Sequence, residues 1–230
     1  LEQIQNLLKL GDCFAVAEFV QQEGSSLDIA IRYHSLVKDL YWKSRDLPAI
    51  IAVGRAGIYY CLGKSTAEGV PPELVDKLRS SAKAIAYDVG SFTWPGWDEP
   101  GITPGPADLA AGRDCALLNL RLAVELKKPA DRVSAAHWLL GAHLLASRDF
   151  ESAERHFKFA ADLLVKVEFD ATKQMNLGYA ALAQLCREPS GVEPNARFKE
   201  VIEKLRAYED KDAKEFAAQL KTACRVFMPT

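Results

Sequence analysis

A chain of 230 residues that is 49% hydrophobic and 26% charged can bury a large core, as one elongated domain or two small ones. Its 29 Lys and Arg against 31 Asp and Glu leave a formal net charge of −2, so it has no basic field to attract a phosphate backbone. Nucleic acid is thereby excluded as the expected partner.

No run approaches the ~18 apolar residues of a membrane span, so no membrane association is expected. No charged segment followed by an apolar stretch and a cleavage site marks a signal peptide. The chain begins at Leu1 rather than Met, and an upstream segment is expected to have been removed. Cys13, Cys61, Cys115, Cys186 and Cys224 are odd in number, widely spaced and never paired as CxxC. They read as buried structural thiols of a reducing compartment, and a cytoplasmic location is expected.

Three- and four-residue periodicity runs along the chain, with no alternating strand pattern. In chain order it predicts a short helix over 2–9, then helices over 12–22, 27–44, 47–62, 72–89 and 107–127. Further helices follow over 130–147, 149–166, 169–186, 195–207 and 211–225. Gly24, Gly63, Pro71-Pro72, Pro129 and Pro189 fall between periodic segments as stop signals. Because most connections are short, consecutive helices should pack as antiparallel hairpins. The helix from Asp149 is the clearest: Phe150, Ala153, Phe157, Ala160 and Leu164 share one face, while Glu151, Glu154, Arg155 and Lys158 lie elsewhere. Residues 130–147 are apolar on more than one side, as in a helix sandwiched between neighbours.

Part of this pattern repeats. Within 134–166, Leu140-Gly141 puts a small residue where a second helix can cross, and Arg148-Asp149-Phe150 makes a short turn. Ala153, Phe157 and Ala160 follow, the alanines allowing close approach and Phe157 filling the gap between hairpins. Weaker echoes are Gly11-Asp12 before Ala15 and Phe19, and Arg45-Asp46-Leu47 before Ala49, Val53 and Ala56. Ala116, Leu120 and Ala123 precede Pro129, and Leu177-Gly178 repeats Leu140-Gly141.

The segment 134–166 resembles one unit of the tetratricopeptide-repeat family, with the echoes as degenerate units. His137 replaces the early aromatic of the first helix, the spacing drifts, and an insertion splits one hairpin. The resemblance implies an all-α fold over 1–230: a right-handed αα-superhelix of stacked antiparallel hairpins, forming a single domain. It also implies a concave groove lined by the first helix of each hairpin. Through Gly141 the register turns Trp138, Ala142 and Leu145 toward that groove, and through Gly178 it turns Met175, Tyr179 and Leu182. Through Arg45-Asp46 it turns Arg32, Ser35, Asp39 and Trp42 inward. The basic clamp of family members that grip acidic chaperone tails is not seen at the best-aligned positions, which hold Trp138, Ala142, Met175 and Tyr179.

Catalytic and ligand motifs are few. Gly63-Lys64-Ser65 resembles the end of a phosphate loop, but the required glycine five residues earlier is Ile58, and a helix precedes it. Gly63 reads as a helix C-cap, with Gly54 and Gly57 allowing close packing. Among His34, His137, His143 and His156, the six-residue gap from His137 to His143 points them to different sides of one helix. No cofactor, metal or nucleophile motif is found.

The most distinctive segment is 90–106, GSFTWPGWDEPGITPGP, in which eight of seventeen residues are Gly or Pro. It is expected to be irregular, and ordered by Trp94 and Trp97 docking on helices beside Trp138. Either the tryptophans only pin it, or it also contacts a ligand. The expected function is an interaction or scaffold module binding a peptide or partner domain in the groove. Its anchors would be Trp42, Trp94, Trp97, Trp138, Met175 and Tyr179. Two alternatives stay open: a small-molecule or catalytic domain whose pocket is closed by the 90–106 loop, and an architectural or dimerising domain of a larger protein.

Overall fold

The computed structural model describes residues 2–164 and 170–228. Among these residues it is helical throughout, with no strand. Its elements are α1 (Glu2–Lys9), α2 (Cys13–Gln21), α3 (Ser26–Asp39), α4 (Leu47–Ser65), α5 (Pro72–Phe92), α6 (Pro106–Glu125), α7 (Ala130–Ala146), α8 (Phe150–Asp162), α9 (Ala171–Arg187), α10 (Val192–Ala207) and α11 (Lys211–Phe227). The expected ends at 166 and 169 lie outside the described residues.

Three helices depart from the periodicity. The stretch expected as one helix over 27–44 stops being α-helical at Asp39 and continues as a wider π-turn over Leu40–Ser44, closed by Arg45 N donating to Leu40 O at 2.8 Å. Gly63 is not a cap: it lies in the last turn of α4, and Thr66 ends the helix by donating its N–H and its hydroxyl to Gly63 O. The 90–106 segment is less irregular than its composition suggests. Gly90, Ser91 and Phe92 complete α5, Thr93 stops it by returning its hydroxyl to Val89 O and Gly90 O, and Pro106 opens α6. Between them, Pro95–Trp97 makes one 3₁₀ turn.

Neighbouring helices run antiparallel, because residue numbers fall on one helix as they rise on its partner. On α3 and α4, Tyr33 meets Gly57 and Val37 meets Gly54; on α4 and α5, Gly54 meets Val89 and Gly57 meets Ile85. Asn119 and Glu125 of α6 bond to Lys83 and Arg79 of α5. Gly54 and Gly57 allow these approaches, since a Cβ would lie 2.3 Å from Val89 Cγ2 or 2.7 Å from Tyr33 Cβ. The same inversion holds where Ser134 and Gly141 of α7 meet Ala160 and Phe157 of α8.

Three helix starts share one device. Gly11, Arg45 and Arg148 take positive φ (73°, 54° and 63°), and the aspartate after each caps the next helix. Asp12 accepts from Ala15 N at 2.8 Å, Asp46 from Ala49 N at 3.0 Å, and Asp149 from Ser152 N at 3.2 Å. These are the dipeptides that echo one another in the sequence.

By its packing the chain divides into two compact units. Unit 1 takes the chain up to Thr93 together with Pro104–Lys127, and unit 2 takes Trp94–Thr103 together with the chain from Lys128 onward. In unit 1, α3 packs on both α4 and α5, α5 on α6, and α2 on α3 and α4. In unit 2, α7, α8, α9 and α10 pack in sequence, α11 covers α9 and α10, and the 3₁₀ turn lies on α7 and α11. Phe157 is the keystone of unit 2: wholly buried, in contact with Gly141 and stacked on Tyr179 at 5.2 Å. Gly178 makes the corresponding approach to Leu220 and Val201.

Candidate functional site

Two places in the molecule carry the features of a recognition site. The first is an open groove of about 530 Å³ in unit 1, where α1 and the end of α2 meet α3. Its apolar floor is Ile4, Val20 and Leu36, all buried. Its polar rim is Glu23, Arg32, Ser35 and Asp39, and Ile31 stands 53% exposed beside them. Arg32, Ser35 and Asp39 are three of the residues the repeat register turns inward. Arg32 is fixed by donating to Val20 O at 3.0 Å, at the C-terminal end of α2, where a cation meets the negative pole of the helix. Ser25 and Asp28 start α3 with a reciprocal capping box, and the Ser25 hydrogen bonds hold the Asp28 carboxyl below its usual pKa.

Trp42 lies past Asp39 on the π-turn and is 65% exposed, packed edge-on against Tyr41 at 4.8 Å. Tyr41 in turn stacks on Phe92 at 3.8 Å.

The second place is an aromatic cage in unit 2. Trp94 is 1% exposed, with Trp97, Trp138, Tyr179 and Phe227 around it at centroid distances of 5.1, 5.5, 5.8 and 5.9 Å. Its indole N–H donates to Ala142 O, a helix carbonyl of α7, at 2.9 Å. The expected docking of Trp94 and Trp97 beside Trp138 is therefore present. Met175 is buried one turn before Tyr179 on α9. Of the six expected anchors, only Trp42 is open to solvent: Trp94, Trp138, Met175 and Tyr179 are buried, and Trp97 is partly so. The physical reason is that Trp94 lies against Trp138 and Tyr179. Burial pushes the Tyr179 hydroxyl far above its usual pKa, and Gln219 is near it without a well-oriented hydrogen bond. The Trp138 N–H has no hydrogen-bond partner among the described residues.

A smaller pocket of about 320 Å³ lies on α8, α9 and α10, where the cations Lys158 and Lys204 already pair with Glu154 and Glu200. Burial works to raise the Glu154 pKa, but hydrogen bonds from Lys158 and Gln184 outweigh it and hold the group below its usual value.

Some polar contacts have no motif in the sequence. His137 and His156 face each other Nδ1 to Nδ1 at 2.9 Å across α7 and α8, and His34 bonds to Asp88 at 2.8 Å. Asn119, wholly buried, ties α6 to Lys83 O. Polar residues nineteen to fifty-four positions apart are joined by helix packing, and only the helix pairing could have found them.

Among the described residues, no three His, Cys, Asp or Glu side chains converge to hold a metal ion. No helix among them is long and apolar enough to cross a membrane. Cys61 and Cys115 are buried free thiols, and Cys186 and Cys224 are free and partly exposed; the Cys13 side chain lies outside the described residues. Compared with protein-family models, curated proteins and solved structures, the chain matches none.

Proposed function

We propose that this chain is a tetratricopeptide-like interaction module that binds a peptide or partner segment in the α2–α3 groove of unit 1. The observation that carries the reading is the groove itself: an apolar floor, a rim with both charge signs, and exposed Ile31 alongside. Such a site suits a segment whose apolar side chain enters the floor while flanking polar groups meet Arg32 and Asp39. The shared turn at Gly11-Asp12, Arg45-Asp46 and Arg148-Asp149 supports a repeat origin, as does the antiparallel pairing of successive helices. Packing of α3 on α5 and of α9 on α11 fits hairpins stacked on hairpins. The buried free thiols support a reducing, cytoplasmic setting.

The test is site-specific photo-crosslinking in cells. A benzophenone amino acid replacing Ile31 should capture a discrete partner, and one replacing the still more exposed Val192 of α10 should not. Leu36→Glu, which charges the groove floor, should abolish capture. Equal adducts from both positions, or none from Ile31, would refute the groove.

A further inference from the structure

We propose that the aromatic cage of unit 2 is a second recognition site, for a tryptophan presented on a proline/glycine turn by a partner protein, and that Trp94 occupies it as a displaceable stand-in. This goes beyond the groove of unit 1 and does not depend on it.

The cage is specific for indole on two counts. Trp97, Trp138, Tyr179 and Phe227 surround one ring, with Trp97, Trp138 and Tyr179 in the edge-on arrangement that aromatic quadrupoles favour. Ala142 O reads the ring N–H, which neither phenylalanine nor tyrosine can supply at that position. Most of the cage is supplied from elsewhere than the occupant's own segment. Trp138 and Ala142 come from α7, Tyr179 from α9 and Phe227 from α11. Tyr179 is held from behind by Phe157, and α9 is locked to α11 where Gly178 meets Leu220. Removing the occupant therefore leaves these walls supported.

With Trp94 in place, one polar atom of the cage wall is left unmet. The Trp138 side chain, 4% exposed and in ring contact with both Trp94 and Trp97, keeps an N–H that no acceptor among the described residues meets. A buried donor without an acceptor is unfavourable, and a ligand carrying a carbonyl or carboxylate beside its tryptophan would relieve it. Beyond Trp97 the segment is more open: Asp98, Pro100, Gly101 and Thr103 are exposed. Its backbone bonds Asp98 N to Pro95 O and Ile102 N to Glu99 O lie within the segment and would survive its departure. The partner so defined carries Trp-Pro or Trp-Gly in a turn with an adjacent acceptor.

The experiment titrates the full chain, wild type and Trp94→Ala/Trp97→Ala, with a labelled, end-blocked peptide of this chain's residues 92–103, read by fluorescence anisotropy. Helical circular dichroism reports whether the double variant folds; if it does not, Trp94→Phe, which keeps a ring but loses the N–H, takes its place. The emptied variant should bind the peptide at least tenfold more tightly than wild type does. The same peptide with alanine at the Trp94 position should bind at least tenfold more weakly. A folded variant that binds no better than wild type, or that ignores the alanine replacement, overturns the proposal. So does a wild-type dimer abolished by Trp94→Ala, which would make a second copy of the chain the occupant.

Discussion

His137 and His156 share a hydrogen bond between their Nδ1 atoms, 2.9 Å apart, across the α7–α8 hairpin. One ring must carry the Nδ1 proton while the other offers its lone pair. A first added proton can go to the far nitrogen of the donor, but a second sets two N–H groups against each other. Burial and then the His156 charge push the His137 pKa down to about 4. Burial and Arg155 lower that of His156, with Asp149 opposing.

The folded state therefore holds fewer protons than the unfolded chain between about pH 4 and 6.5. Stability should be fully present above pH 6.5 and decline as the pH falls toward 4. Because both rings are partly solvated, the loss should be about 1–2 kcal/mol rather than the full value of the shift. Urea denaturation at pH 7.5 and pH 5 measures it. His137→Asn, whose short amide can still reach His156, should flatten the dependence, and an unchanged slope would remove the pair from the account.

Phe157→Ala should destabilise unit 2 by about 3–5 kcal/mol, since the ring is wholly buried and touches Gly141 and Tyr179. Gly141→Val should also be costly, because its Cβ alone would lie 2.9 Å from the Phe157 ring. Thermal denaturation of the two variants and their double mutant checks the contact: the penalties should be less than additive if both act on this junction.

Helix positions were legible because the apolar period is strong and proline and glycine fall near most ends. The junction of Gly141, Ala153, Phe157 and Ala160 was legible for the same reason. Composition misled at 90–106, where a glycine is tolerated inside α5 and a proline is favoured at the first turn of α6. Gly63 misled similarly, since a glycine near a helix end need not be the residue that ends it. Trp94 and Trp138 were recognised as neighbours, but not that the rings would enclose one another: sequence registers a residue's face and not what covers it. The groove floor at Ile4 and Val20 joins residues from two helices whose crossing no local pattern specifies.

The thiols offer a direct check on burial. Desolvation pushes Cys61 up to about 12 and Cys115 up to about 11, so at pH 8 almost none of either is the reactive thiolate. Iodoacetamide labelling at pH 8, mapped by mass spectrometry, should leave both unmodified in the native protein and label both in denaturant. Rapid native labelling of Cys61 would mean that the α3–α4–α5 packing opens readily.

The αL–aspartate turn makes the last prediction, because it separates two contributions at adjacent residues. Asp149 caps α8 through Ser152 N, so Asp149→Ala should cost about 1 kcal/mol, and Asp46→Ala a similar amount at the start of α4. Arg148 contributes through its backbone, held at φ 63° where L residues are disfavoured. Arg148→Gly relieves that conformation but frees the unfolded chain and loses the guanidinium over the Phe150 ring, so its net effect should stay within about 0.5 kcal/mol. Arg148→Val places a β-branched side chain at the positive φ itself, and should cost about 1–2 kcal/mol. Chemical denaturation of the three Arg148 forms gives the order: glycine and arginine close together, valine clearly lowest. If valine were as stable as arginine, the turn would not be held in the left-handed region in solution. The shared device at Gly11, Arg45 and Arg148 would then lose its physical basis.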